Sequence, residues 1–245
     1  IYTHGYGAVM SRVDRITSEG LPEFLIQDIP PKTKVNISID RPEIYYGEHD
    51  APYVITNTSI KPGEFDYPSG DENMYTTYQG TGGIKLDSFF KRLMASVSFG
   101  DITLLISGTI SGESRLLLRR NIVEMARNYA QFLELDDDPY LTISDGKLYW
   151  IIDAYTTTDM FPYSTPINVN NRKLNYIRNS VKIIIDAYNG KINCYITDQK
   201  DPIIKAYSGI FPGIFKDIKD IPEGLKSHIR RSEEHTSELQ SRQSI

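Results

Sequence analysis

The chain has 245 residues, 40% hydrophobic and 24% charged, which suits a folded region with a full core as one large domain or two small ones. A formal charge of −5 and the lack of any Lys/Arg run exclude a nucleic-acid surface. No segment reaches the roughly 18 apolar residues that cross a bilayer, no signal-peptide pattern opens the chain, and a single cysteine, Cys194, excludes an intrachain disulfide.

The opening Tyr2-Thr3-His4-Gly5-Tyr6-Gly7 places glycines between aromatic residues and predicts a tight turn or loop. Pro30-Pro31 breaks the chain, and the alternation of Val35, Ile37 and Ile39 predicts a strand. A second short strand is predicted over 53–57. Residues 61–83, rich in Pro, Gly, Tyr and Asp, read as a long ordered loop ending in Gly80-Thr81-Gly82-Gly83. Leu86, Phe89, Phe90, Leu93, Met94 and Val97 then recur at helical spacing, predicting a helix near 85–98 whose apolar stripe is buried. A second helix is predicted over 115–133, with Leu118, Ile122, Met125, Tyr129 and Phe132 as its stripe. Asp136-Asp137-Asp138-Pro139 follows as the loop beyond it.

Two dipeptides predict hairpins with two-residue turns, Asp145-Gly146 and Asn189-Gly190, because both central positions of such a turn need positive φ. The first turn places Ile143 opposite Leu148 and Leu141 opposite Trp150. The second pairs Ala187 with Ile192, Ile185 with Cys194 and Ile183 with Ile196. It gives one apolar face, with a polar face opposite that only Ile184 interrupts. Cys194 is then a buried small hydrophobe. Beyond Ile203 the pattern becomes irregular. The fold class predicted is α+β: a mixed, mainly antiparallel sheet built from these hairpins, with two amphipathic helices.

Candidate chemistry is thin. Gly80, Thr81, Gly82 and Gly83 precede a helix and could offer backbone N–H groups to an anion, but lack the Lys and Ser/Thr of a phosphate loop, so turn geometry is the better reading. Asp136, Asp137 and Asp138, with Asp153 or Asp201, are oxygen donors for Ca²⁺, but their spacing is not that of an EF-hand; solvated loop acids outweigh a metal site. His4, His49 and His228 are too scattered to suggest zinc. Glu64, Asp66 and Asp186 could pair for glycoside chemistry, a pairing almost any domain of this size offers. Arg178 is expected in a structural ion pair with an acid such as Asp153. No cofactor and no metal is assigned.

The ordered motifs YTHGYG (residues 2–7), RPEIYYGE (41–48), EFDYP (64–68), GTGG (80–83), DDDPY (136–140), YWIIDAYTTT (149–158), FPYS (161–164), NYIRNSVKIIIDAYNG (175–190) and DPII (201–204) resemble the bacterial uncharacterised protein family 0182 over residues 1–230. The resemblance implies a long parent polypeptide with several N-terminal transmembrane helices, followed by a large extracytoplasmic region of which this chain is a fragment. It implies a membrane partner through those missing helices and supplies no catalytic residues. Around Asn128-Tyr129-Ala130-Gln131 the chain departs from the family pattern. From residue 231 the sequence RSEEHTSELQS resembles a translated sequencing adapter, so 231–245 is expected to be a non-native tail that packs on nothing. Two functions remain. The first is a non-catalytic binding or assembly region with an envelope protein or glycan partner. The second is an envelope enzyme acting on glycan or peptide, with its site in loops 61–83 and 156–174.

Overall fold

The computed structural model describes residues 2–49, 53–169 and 172–230. The predicted tail, 231–245, lies outside the described residues. The chain is α+β with mainly antiparallel sheets, and it forms two compact units. Of the described residues, unit 1 comprises 2–121 with two hairpin tips, Asp145–Leu148 and Asp186–Lys191; unit 2 comprises Ile122–Ser144, Tyr149–Ile185 and 192–230.

In unit 1, β1 (Gly5–Tyr6) pairs antiparallel with β5 (Glu43–Ile44), and β2 (Met10–Ile16), β3 (Pro22–Gln27) and β4 (Lys32–Thr33) form a small sheet. The opening motif is therefore a strand and not only a loop. The strand predicted at 35–39 is irregular backbone, and β4 ends before it. β6 (Tyr53–Thr56) and β9 (Ile84–Lys85) flank β10 (Arg115–Leu118), while β7 (Glu64–Ser69) and β8 (Glu72–Thr76) form a hairpin inside the expected 61–83 loop.

Both predicted helices need correction. The first, α1, spans Phe89–Phe99 and not 85–98; the Ser88 hydroxyl caps it by accepting from Lys91 N–H, and Gly100 ends it in the left-handed conformation. Its predicted core stripe holds only in part: Leu86, ahead of the helix, is fully buried and Leu93 is half-buried. Ala95 and Ser96 are buried, whereas Phe89, Phe90, Met94 and Val97 are exposed. The short α2 (Thr103–Ile106) follows. The second predicted helix is broken in two, because residues 115–118 pair as β10, Arg119 takes φ 47°, and helix α3 (Ile122–Tyr129) begins only afterwards. Three consecutive leucines, Leu116 to Leu118, suit a strand covered on both faces as well as they suit a helix. Leu86, Ala95, Leu104, Ile110 and Leu116 form a core cluster here.

Unit 2 holds the six-stranded sheet in the order β11 (Glu134–Leu135), β13 (Lys147–Thr158), β16 (Tyr176–Asp186), β17 (Ile192–Ile196), β18 (Phe215–Asp217), with β12 (Tyr140–Ser144) also on β13. A small hairpin, β14 (Ile167–Val169) with β15 (Arg172–Leu174), occupies part of the expected 156–174 loop. The β12–β13 turn has φ 49° at Asp145 and 71° at Gly146, the two-residue geometry expected.

The Asn189-Gly190 hairpin differs. Val181 faces Ile196, Ile183 faces Cys194 and Ile185 faces Ile192, a shift of two residues from the predicted register. The Asp186 carboxylate accepts from the N–H groups of Tyr188 and Asn189 and from the Asn189 side chain, so the loop is four residues long and only Gly190 takes positive φ. An even shift preserves the faces, and the predicted apolar set stays together. The expected polar face is also covered, since Ile184 and Tyr195 pack with Ile151, Ile221 and Leu225 in a second core cluster. After Ile203 the chain is not irregular: α4 (Pro202–Ile210) starts with Asp201 as its cap and Pro202 in its first turn, and α5 (Glu223–Lys226) supplies Leu225.

Candidate functional site

The densest polar cluster is in unit 1, around Glu64. Pairing of β1 with β5 brings Thr3 and His4 beside Tyr45, and alternation along β7 sends Glu64 and Asp66 to the same side. The buried Glu64 carboxylate accepts from the Thr3 hydroxyl at 2.9 Å, the Tyr45 phenol at 3.0 Å, Asn57 N–H at 3.0 Å and Tyr78 N–H at 3.4 Å. His4 Nδ1 lies 2.8 Å from Thr3 Oγ1, and Nε2 lies 3.1 Å from Asp66 Oδ1. Arg120 donates to the carbonyl oxygens of Tyr45 at 2.7 Å and Thr3 at 2.8 Å; burial lowers the pKa of its guanidinium. Burial, and after it the Glu64 charge, raises the Tyr45 phenol far above its ordinary value, so it stays a donor to Glu64.

Tyr45 packs edge-on against Tyr78 at 4.6 Å and Tyr188 at 5.2 Å, while Tyr78 stacks on Tyr188 at 5.0 Å. Arg41 sits over the Tyr188 ring at 5.0 Å and donates to its hydroxyl. The order Asp66–His4–Thr3 resembles an acid–imidazole–hydroxyl relay. The hydroxyl is buried, however, and its single proton serves Glu64. With four donors on one carboxylate, the cluster is arranged to hold the N-terminal motif, β5 and β7 together rather than to move a proton to a ligand.

The predicted site residues have other tasks. Thr81 N–H donates to Asn189 Oδ1 and Gly82 N–H to the Tyr78 hydroxyl, while Arg115 grips the carbonyl oxygens of both Thr81 and Gly82. A Cβ on Gly82 would lie 2.4 Å from Asn189 O, and one on Gly83 2.4 Å from Leu116 O, so these glycines permit close backbone approach. Helix α1 starts six residues beyond Gly83 and takes its cap from Ser88, so the glycine amides do not form its N-terminus. Asp136 turns its own loop by accepting from Asp138 N–H and from the Tyr155 hydroxyl; Asp138 pairs with Arg230 at 2.9 Å; Asp137 is exposed. Among the described residues no three His, Cys, Asp or Glu side chains are grouped to hold a metal. Arg178 pairs with Asp198 at 2.5 Å and not with Asp153.

Asp153 instead forms a buried ion pair with Lys182 at 2.6 Å in unit 2, where Lys182 also donates to Arg230 O. Burial lowers the Lys182 ammonium and Asp153 partly restores it. Asp201 is fully buried. It accepts from the Ser180 and Thr156 hydroxyls, the Tyr176 phenol and Ile203 N–H. The buried acids of the 61–83 and 156–174 neighbourhoods are thus each consumed inside their own unit. Glu64, Thr3, Tyr45, Tyr78 and Tyr188 were not predicted as a network, nor was the separate Asp153–Lys182 pair. The signal available was the order of the aromatic and acidic motifs, YTHGYG, RPEIYYGE and EFDYP, which carried the family resemblance but not the contact.

Unit 1 also carries a pocket of about 490 Å³ beside α1, lined by Ile84, Leu86, Phe90, Met94, Phe99 and Leu118 among others. It is an apolar recess next to the exposed stripe of the helix.

The chain matches the model of "Uncharacterised protein family (UPF0182)" over residues 1–242. It is 53% identical over 234 residues to a "UPF0182 protein" of Methanospirillum hungatei, covering 94% of this chain and 26% of that protein. A "UPF0182 protein" of Pelotomaculum thermopropionicum is 52% identical over 229 residues (94% of this chain, 24% of that protein), and one of Desulforamulus reducens is 52% identical over 234 residues (95% and 25%). The chain therefore spans about a quarter of the length of these relatives. No solved structure matches it. Half-identical relatives over nearly the whole chain leave one conclusion: the chain belongs to the uncharacterised protein family UPF0182.

Proposed function

We propose that these residues are a non-catalytic binding and assembly region of a longer, membrane-anchored polypeptide, and that they lie outside the cytoplasm. The observation that carries this reading is the exposed apolar face of α1, which keeps large side chains in water although the helix is capped at both ends. The saturation of Glu64 and Asp201 by internal donors supports it. The membrane anchor rests on the family's ordered motifs and on relatives about four times as long. No helix of the described residues is long and apolar enough to cross a membrane.

A second reading, an envelope enzyme acting on glycan or peptide, has one observation in its favour, the meeting of Glu64, Asp66 and His4 in unit 1. The two readings separate in a native host from which the full-length gene is deleted and then restored with variants, scored for envelope defects. Full-length polypeptide carrying Phe90→Ser and Val97→Ser should express and fold, yet fail to restore the wild-type envelope. Full restoration by that variant sinks the assembly reading.

A further inference from the structure

We propose that the recess beside α1 binds a single-chain fatty carboxylate, with the acyl chain inside the recess and the carboxylate on the Arg119 guanidinium. This rests on the binding reading above and names a ligand class for it.

The recess encloses about 490 Å³, within the range of sites that hold one small ligand. Its floor is core: Leu86, Ala95 and Leu116 are buried and belong to the core cluster of unit 1. Its walls include Phe90 and Met94 of α1, 68% and 51% exposed. The space therefore runs from the surface down to fully buried leucines, deeper than a gap between surface side chains. Ala95 accounts for it, since the small side chain where the helix meets the core leaves room between bulkier neighbours. Water there would meet few polar partners, whereas a methylene chain would meet apolar atoms throughout.

Charge selects the head group. Two charged side chains line the recess among the described residues, Lys91 and Arg119, and no acid does. Lys91 is already paired with Asp87 at 2.7 Å. The exposed Arg119 guanidinium has no hydrogen-bond or ion-pair partner among the described residues. Arg119 also holds φ at 47°, an uncommon conformation for a long side chain, and in that conformation it brings the one unpaired cation of the lining to the recess. A guanidinium presents a planar fork of donors that matches a carboxylate. A single recess of this size seats one chain, so a two-chain bilayer lipid fits it less well.

The test uses the full-length polypeptide in phosphatidylcholine nanodiscs, irradiated with dodecanoate that carries a terminal diazirine, followed by mapping of the labelled peptide. The label should fall on α1 or β10. Unlabelled carboxylates should displace the probe roughly fourfold better for each methylene added from octanoate to dodecanoate. Dodecanol, which lacks the charge, should compete about tenfold more weakly than dodecanoate. Met94→Trp, a substitution at an exposed wall, should abolish the labelling. Arg119→Gly suits the positive φ and should fold at least as well as wild type, yet lose the preference for dodecanoate over dodecanol. Labelling elsewhere in the polypeptide overturns the proposal, as does equal competition by dodecanol or an unchanged preference in Arg119→Gly. So does labelling of the same peptides by a diazirine-bearing phosphatidylglycerol that dodecanoate fails to displace, which would indicate bilayer lipid. Each of these leaves the assembly reading standing, because that falls only if the Phe90→Ser, Val97→Ser variant restores the envelope.

Discussion

At the scale of single residues, the acids of this chain are anchors. Burial alone would raise the Asp201 carboxyl, but donors from Ser180, Thr156, Ile203 N–H and Tyr176 outweigh it and hold the carboxyl below its ordinary value. A carboxyl whose folded pKa is depressed adds stability above its unfolded pKa of about 4, and that stability is lost as pH falls through the lower folded value. Asp201→Asn should therefore lower the unfolding midpoint at pH 7 and flatten the loss of stability below about pH 4. An acid limb identical to wild type in a pH series of thermal melts would contradict this. The Asp153–Lys182 pair gives a sharper expectation. Lys182→Met alone strands a buried carboxylate and should cost about 3–5 kcal/mol, whereas the double variant with Asp153→Leu should recover most of that. Denaturant titration of the cycle decides it; a double-variant loss equal to the sum of the two single losses would show the pair is not coupled.

At the scale of elements, local chemistry in the sequence was legible where it was self-contained. Asp145-Gly146 made the turn its residues require, and the alternation of Val181, Ile183, Ile185, Ile192, Cys194 and Ile196 kept its face. The same dipeptide logic failed at Asn189-Gly190 because a side chain three residues earlier, Asp186, captured the turn amides. Periodicity failed at 115–133, where a strand and a helix share one run of apolar residues. At α1 it was right about the helix and only partly right about which side is buried, since an apolar stripe has no marker for what covers it. The pentapeptide Ile-Ile-Asp-Ala-Tyr shows how context decides. At 151–155 its Asp pairs with a buried Lys, and at 184–188 its Asp ends a strand and caps a loop. The Gly80–Gly83 segment can be tested in the same terms. Gly82→Ala must displace the Asn189 carbonyl and should cost about 1–3 kcal/mol, while Gly112→Ala meets nothing and should be neutral or slightly stabilising. Equal melting points for the two variants would refute the close-approach account.

At the scale of the whole molecule, the sequence carried the family and the α+β class, because both depend on many residues in order. The candidate site was not legible. Thr3, His4, Tyr45, Glu64 and Tyr78 are up to 75 positions apart, and only the fold brings their polar atoms within hydrogen-bonding distance. What results is a chain about a quarter as long as its relatives, with the buried carboxylates of Glu64 and Asp201 consumed by internal donors and the longest helix of the described residues presenting apolar side chains outward.

The central claim is that these carboxylates hold the fold while the apolar face performs the function. It is tested most directly by Glu64→Gln in the full-length polypeptide, with envelope restoration and thermal midpoint measured on the same variant. The loss of the carboxylate's charge at four hydrogen bonds should lower stability by about 1–3 kcal/mol, while restoration remains at the wild-type level below the variant's midpoint. An unchanged midpoint with restoration abolished would contradict the account and make Glu64 the centre of an active site.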